Sequence, residues 1–422
     1  MNKQSFSVHL TAVKNTIKES EIKITGSKSE SNRLLILQAL YPDILIENLS
    51  TADDTIDLQK ILSTKSNTYN VGHAGTAMRF LTAFFASNPN SAEVVLTGSK
   101  RMQERPIKIL VDALKTLGAD ITYLDKDGFP PLKIKGKNLL KNNVNLVANI
   151  SSQYISALML IAPNLPQGLE ITLEKEVTSL PYVQMTYALL SALGAEVSFN
   201  QYQISIRPLT KIKKHHFFVE SDWSAASYFY SLVALTSTAK VRLNTFKQDS
   251  LQGDALLQQL YEPLGVKTKF ITKNYIELSK TPRKLPLYFE ANLLETPDIA
   301  QTIVVTCLGL GIGCKLTGLH TLKIKETDRL VALKNEIEKL GGELSLTSSS
   351  LNLAPCSKLN KNIQINTYND HRMAMSFAPL VLKTPLTIKN AEVVSKSYPK
   401  FWDDLEKLSI SVKKHYKNLL LK

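Results

Sequence analysis

The sequence predicts an α/β protein of two domains, and three observations predict it. The chain has 422 residues, more than one ordinary core organises, which fits two domains of roughly 200 residues each. An apolar helix, a Leu-Gly step and an alternating stretch recur at Ala113–Ile134, Ser191–Ile206, Tyr261–Leu278 and Ile337–Leu353. The steps Leu117-Gly118 and Leu193-Gly194 stand 76 positions apart, and so do Leu264-Gly265 and Leu340-Gly341. That equality predicts two homologous halves of three repeats, each repeat about 70 residues long.

Within each repeat the glycine predicts a left-handed cap that ends the helix, and the alternation after it predicts a hairpin. Degenerate copies near Leu58–Val71 and Leu405–Val412 bring the number to six. A second echo links the halves. Leu96-Thr97-Gly98 leads into Glu104-Arg105, and Leu316-Thr317-Gly318 leads into Lys325-Glu326 and Arg329. Two domains meeting face to face would bring such charged helix starts together across a cleft, where binding sites commonly lie.

Composition excludes several classes. The 44% hydrophobic and 21% charged residues are ordinary for a globular protein. The apolar stretch around Ile299–Ile312 is interrupted by Gln301, Thr302, Thr306 and Gly309 and is too short to span a bilayer. The start Met1-Asn2-Lys3-Gln4-Ser5-Phe6 lacks the apolar core of a signal peptide. Cys307, Cys314 and Cys356 show neither metal-ligand spacing nor a pairing pattern, so a reduced, cytoplasmic protein without metal is expected. The net charge of +14 fits either nucleic acid or anionic metabolites. The runs Lys211-Ile212-Lys213-Lys214 and Lys413–Lys417 are short and lack interleaved aromatic platforms, so solvated edges are the simpler reading.

Chemistry-bearing residues gather where apolar helices begin. Six places do this: Gly26–Arg33, Gly72–Arg79, Lys100–Arg105, Ser151–Gln153, Lys325–Arg329 and Asn369–Arg372. A helix N-terminus offers free N–H groups and the positive end of a dipole, so cations and hydroxyls stacked there suit an anion. Gly26–Arg33 falls short of a P-loop, because the spaced second glycine is missing; a helix cap explains it equally well. Two glycines, Gly72 and Gly75, allow close approach to the backbone. Ser151, Ser152 and Gln153 supply neutral donors, of which a serine N-cap explains only one. Glu326 lies between Lys325 and Arg329, where a carboxyl can move a proton while its neighbours hold an anion. A capping carboxylate is the bland alternative. Asp298 is read as either a helix cap or a base toward a hydroxyl. Arg372, in the first turn of an apolar helix, needs a partner, and an anionic ligand would serve.

Taken together and in order, these motifs closely resemble the 3-phosphoshikimate 1-carboxyvinyltransferase (5-enolpyruvylshikimate-3-phosphate synthase) family, almost end to end. Gly26-Ser27-Lys28-Ser29, Ala74–Arg79, Arg101-Met102 with Glu104–Ile107, and Ser151-Ser152-Gln153 carry the first half. Pro181-Tyr182, Asp222 with Ala226-Ser227-Tyr228, Gln252-Gly253-Asp254, Pro297-Asp298, Lys325–Arg329 and Asn369–Met375 carry it on to Lys396. The resemblance implies an inside-out α/β barrel in each of two domains, built from three βαβαββ repeats with pseudo-threefold symmetry. It places residues 26–221 in an inserted domain, 1–25 with 222–422 in the other, and the active site in the cleft between them.

The implied reaction moves the enolpyruvyl group of phosphoenolpyruvate to the 5-hydroxyl of shikimate 3-phosphate and releases phosphate. No cofactor or metal is implied, and a monomer without nucleic-acid or membrane partners is expected. Carried over position by position, Lys28, Gly75, Arg105, Gln153, Arg329, Arg372 and Lys396 would hold phosphoenolpyruvate. Lys28, Ser29, Arg33, Ser151, Ser152, Gln153, Ser179, Tyr182, Asp298 and Lys325 would hold shikimate 3-phosphate. Asp298 would be the base at the hydroxyl and Glu326 the proton shuttle at the methylene carbon, with Lys28 the third catalytic residue. Cations left unpaired in such a site would repel one another. The sequence departs from the family pattern at His73, where Asn is usual, and at Phe80 and Thr321. The sister family, which uses UDP-N-acetylglucosamine as acceptor, usually carries a reactive Cys in the loop matching Gly98–Pro106; no cysteine stands there.

Overall fold

A computed structural model describes residues 4–12, 14–148, 151–175, 177–200, 202–272 and 274–416. The last position of the basic run Lys413–Lys417 lies outside them. The chain forms two compact units, Met1–Thr25 with Glu220–Lys422, and Gly26–Val219. Glu220 and Ser221, expected at the end of the inserted segment, belong instead to the first of these. Glu220 accepts from Trp223 Nε1 (2.8 Å), Lys247 N (2.9 Å) and Ser250 Oγ (2.6 Å). Ser221 Oγ donates to the carbonyl of Ile24 at 2.7 Å. Their hydrogen bonds are satisfied on that side, so the chain passes over two residues earlier than the sequence implied.

The repeat predicted from the Leu-Gly steps is visible in the sheets. Thr68–Asn70 pairs in parallel with Val94–Thr97, and the antiparallel strands Leu132–Lys135 and Asp120–Tyr123 follow. The same order holds in the sheet of Asn143–Val147, Leu169–Glu174, Gln203–Ile206 and Val197–Asn200. In the unit containing the C-terminus, Thr16–Ile22 with Thr238–Asn244 and Tyr288–Asn292 with Gly313–Thr317 form the corresponding parallel pairs. The third sheet there is closed by the N-terminal strand Phe6–Ala12, set between Leu386–Ile388 and Ile410–Tyr416. Gly118, Gly194, Gly265 and Gly341 all have positive φ, as the predicted caps require. At the degenerate copy near Leu405, Ser409 takes the left-handed conformation instead (φ 64°).

One repeat is incomplete. His216–Phe218 pairs in parallel with Leu45–Glu47, and no hairpin extends this sheet among the described residues. The cause is length. Only four residues lie between the helix Asp53–Ser63 and the strand Thr68–Asn70 of the next repeat, which leaves no chain for two strands at about 3.3 Å per residue.

Each unit has its own core, and the helices that lead into the second strand of a parallel pair run through it. Gly75–Ala86, Ser152–Ile161, Trp223–Leu235, Ala300–Leu310 and His371–Phe377 are buried on nearly all faces, consistent with sequences apolar all round. The helices after the second strands, such as Lys108–Leu117 and Arg329–Lys339, bury one face only. Sheets therefore lie outside and apolar helices inside. Each inner helix begins where a parallel strand ends, so the polar residues at its start stay together at one end of the core. No helix among the described residues is long and apolar enough to cross a membrane.

Candidate active site

In the unit Gly26–Val219, three inner helices start beside one another. Helix Lys28–Leu40 is capped by Ser27, whose side chain accepts from Glu30 N. Lys28 Nζ pairs with Asp54 Oδ2 at 3.1 Å, a partner that no sequence pattern flagged. Helix Ser152–Ile161 is capped by Ser151. Gln153 Nε2 donates to Thr76 Oγ1 at 3.1 Å, joining this helix start to the Gly75–Ala86 helix. Ser179 (φ 56°) precedes Leu180–Leu193 without a side-chain cap bond.

Arg33 locks these starts together. Its Nε donates to Thr186 Oγ1 (2.7 Å), and its terminal nitrogens donate to the carbonyls of Ser29 (2.8 Å) and Tyr182 (3.1 Å) and to Ser156 Oγ (3.0 Å). The guanidinium lies 5.4 Å from the centre of the Phe80 ring and 5.8 Å from that of Tyr182. Among the described residues no carboxylate accepts from it, and burial pushes its pKa down to about 10. Arg33, expected to hold substrate, is 2% exposed and spends its donors on the wall of the site.

Arg105 is the opposite case. It is 8% exposed, and among the described residues its Nε has no hydrogen-bond partner. The guanidinium rests against Gly75, where a Cβ would come within 2.6 Å of Nη1. A buried cation with an unsatisfied donor, held at the start of an apolar helix, suits an anion on physical grounds. His73 lies in the same region. Its Nδ1 is 2.9 Å from Ser99 Oγ, and Ser99 caps the short helix Lys100–Gln103 that leads to Arg105.

The unit that contains the C-terminus gathers the other residues into one ion network. Arg329 is 2% exposed and meets three carboxylates: Asp370 through Nε (2.7 Å), Asp298 through Nη1 (2.9 Å) and Glu326 through Nη2 (2.8 Å). The other oxygen of Asp298 takes Arg372 Nη2 at 3.0 Å, and Lys325 Nζ stands 3.5 Å from Oδ1. The other oxygen of Glu326 takes Lys396 Nζ at 2.5 Å. Four cations thus surround three carboxylates. Burial raises the proton affinity of Asp298, but Arg372, Lys325 and Arg329 outweigh it, even against Glu326, and hold the carboxyl well below its usual range. For Arg329 burial acts in the opposite sense and is outweighed by Asp370, Glu326 and Asp298, so its cation is held firmly.

Several sequence expectations change here. Arg372 already has a partner in Asp298, and the cations of this unit are paired rather than mutually repelling. Glu326 does not begin a helix. It lies in a bend before Arg329–Lys339, and Asp328 does the capping, accepting from Leu330 N and Val331 N. Asp298 sits in the 3-10 turn Pro297–Ile299 ahead of the helix Ala300–Leu310. Lys396 closes the 3-10 segment Ala391–Lys396. The sequence reading missed Asp370, which caps the helix of Arg372 and bonds Arg329. A buried Arg beside an Asp-His-Arg motif was the available signal.

Residues 55–405 match the family EPSP synthase (3-phosphoshikimate 1-carboxyvinyltransferase). The chain belongs to this family. Among similar proteins, a 3-phosphoshikimate 1-carboxyvinyltransferase of Bacteroides fragilis is 43% identical over 403 residues, covering 94% of this chain and 96% of that protein. One from Haemophilus influenzae is 34% identical over 429 residues, covering 93% and 97%. Among solved structures, an EPSP synthase from Acinetobacter baumannii superposes with a TM-score of 0.74 at 19% identity, over 97% of this chain and 100% of that one. The enolpyruvyl transferase NikO from Streptomyces tendae reaches 0.73 at 13% identity, over 98% and 100%. At those identities the two structures speak for the fold alone.

Proposed function

We propose that the chain transfers the enolpyruvyl group of phosphoenolpyruvate to the 5-hydroxyl of shikimate 3-phosphate, giving 5-enolpyruvylshikimate 3-phosphate and phosphate. The observation that carries this reading is the placement of Asp298 and Glu326 among Lys325, Arg329, Arg372 and Lys396. A site that only bound anions would not need the carboxylates. Both substrates carry a phosphate and a carboxylate, so cations are needed for binding and carboxylates for proton movement. The names of the relatives at 43% and 34% identity support the same acceptor.

In this reading Lys28, Arg105 and Gln153, with Gly75 leaving room, take phosphoenolpyruvate together with Arg329, Arg372 and Lys396. Ser29, Ser151, Ser152, Ser179, Tyr182 and Lys325 take shikimate 3-phosphate, while Arg33 fixes the helix starts that present these groups. Glu326, beside the Lys396 ammonium, delivers a proton to the methylene carbon of phosphoenolpyruvate. The 5-hydroxyl oxygen bonds to the neighbouring carbon as Asp298 receives its proton. Loss of phosphate, which carries away the proton held by Asp298, and of a methyl proton to Glu326 then restores the double bond.

In this reading the arriving substrates themselves make Asp298 basic enough. Substrate anions that bond Arg329, Arg372 and Lys325 compete for the donors that hold the carboxylate. Its proton affinity then rises as the hydroxyl arrives. The family setting favours the cytoplasm, and the buried free thiols of Cys307 and Cys314 fit a reducing compartment. We expect a monomer. The test is phosphate release from phosphoenolpyruvate by the purified chain, with shikimate 3-phosphate or UDP-N-acetylglucosamine as acceptor. Release with the first alone supports the proposal, and release with only the second replaces it.

A further inference from the structure

The motif Gln252-Gly253-Asp254 has no role in the reaction as described, yet it holds a buried carboxylate close to the reactive residues. Asp254 is 2% exposed. One of its oxygens accepts from Thr296 Oγ1 and the other from Ser224 Oγ. Thr296, fully buried, immediately precedes the 3-10 turn Pro297–Ile299 that carries Asp298. Ser224 stands in the first turn of the inner helix Trp223–Leu235, and its Oγ lies 3.4 Å from Arg372 Nη2. Two residues before Asp254, Gln252 accepts from Trp223 N (3.0 Å) and donates to the carbonyl of Ser221 (2.8 Å). The segment that carries Asp254 is therefore pinned to the start of the helix that carries Ser224.

We propose that Asp254 is a positioning residue for this reaction, setting Asp298 through the Thr296 hydroxyl and Arg372 through the Ser224 hydroxyl. The inference rests on the reading of Asp298 and Arg372 given above. Both hydroxyls donate to the carboxylate, so each has a fixed orientation. Ser224 Oγ then turns its lone pairs, not its hydrogen, toward the Arg372 guanidinium. The buried charge also acts at a distance. Asp254 attracts Arg372 and repels Asp298, while Arg372, Lys325, Arg329 and Glu326 are the other charged groups facing Asp298. Burial raises the proton affinity of Asp254, and the cation of Arg372 opposes this. Removing the Asp254 charge should therefore make Asp298 a weaker base and Arg372 a less firmly placed anion ligand.

The test compares the full-length enzyme with Asp254→Asn, Ser224→Ala and Thr296→Val. We expect Ser224→Ala to raise KM for phosphoenolpyruvate about tenfold with little change in kcat, and Thr296→Val to lower kcat about tenfold with little change in KM. Asp254→Asn should do both and move the acid limb of the kcat profile to lower pH. Carboxylate NMR titration of Asp298 gives the same comparison without turnover, so an inactive wild type would overturn the functional reading and leave this inference still measurable. An unshifted Asp298 titration in Asp254→Asn would overturn it. If that variant does not fold, the two hydroxyl variants decide, and equal effects of both on kcat and KM would count against the proposal.

Discussion

Arg105 lies against the α-carbon of Gly75, so close that any side chain there would displace its guanidinium. The obstacle is the far end of a flexible side chain, so Gly75→Ala should fold. It should move Arg105 away from the helix start and weaken phosphoenolpyruvate binding by tenfold or more, about 1.4 kcal/mol or beyond. Direct titration with phosphoenolpyruvate, alongside a melting curve, checks this. A variant that binds as the parent does would show that Arg105 is not the anion ligand.

Arg329 carries three carboxylates, one of them the fully buried Asp370. Replacing it with Met leaves Asp370 without its cation, and breaking a buried pair from one side costs about 3–5 kcal/mol. Lys keeps the charge but lacks the planar fork that reaches three partners at once. Urea unfolding should rank wild type above Arg329→Lys and Arg329→Lys above Arg329→Met, and neither variant should retain measurable turnover.

Asp298 links stability to pH with a definite sign. Its folded proton affinity is depressed, so its ionised form stabilises the protein fully above the unfolded value, about 3.9. That contribution disappears as pH falls through the folded value. The urea midpoint of Asp298→Asn should therefore lie below that of wild type at pH 7, and the gap should narrow below about pH 4. A gap independent of pH would mean that Asp298 is held by shape rather than charge.

Gly26, where the chain passes into the unit Gly26–Val219, faces backbone. A Cβ there would collide with the carbonyl oxygen of Asn48, itself fixed at φ 57°. Backbone cannot swing aside as the Arg105 side chain can. Gly26→Ala should thus lose about 3 kcal/mol, read as a lower urea midpoint, whereas Gly75→Ala should lose far less stability.

The helix starts were legible because capping residues and apolar runs are local patterns. Ser27, Ser151 and Asp370 each accept from a backbone N–H two or three residues on. Partner choice was not legible. Nothing near Arg372 in the sequence says that its carboxylate is Asp298, which stands 74 positions away. Lys28 and Asp54, or Glu326 and Lys396, are likewise joined only by the packing of separate elements.

The six charged helix starts, the Leu-Gly caps and the family were determined by the sequence itself, because each rests on residues close together in the chain. Tertiary structure decided which charges neutralise one another. It made Arg33 part of the wall, set Arg105 against Gly75 with no partner for its Nε among the described residues, and wove Asp298 and Glu326 into one network with Arg329. Electrostatic energy depends on distance and burial, and both are set by how strands and helices far apart in sequence pack around a common core.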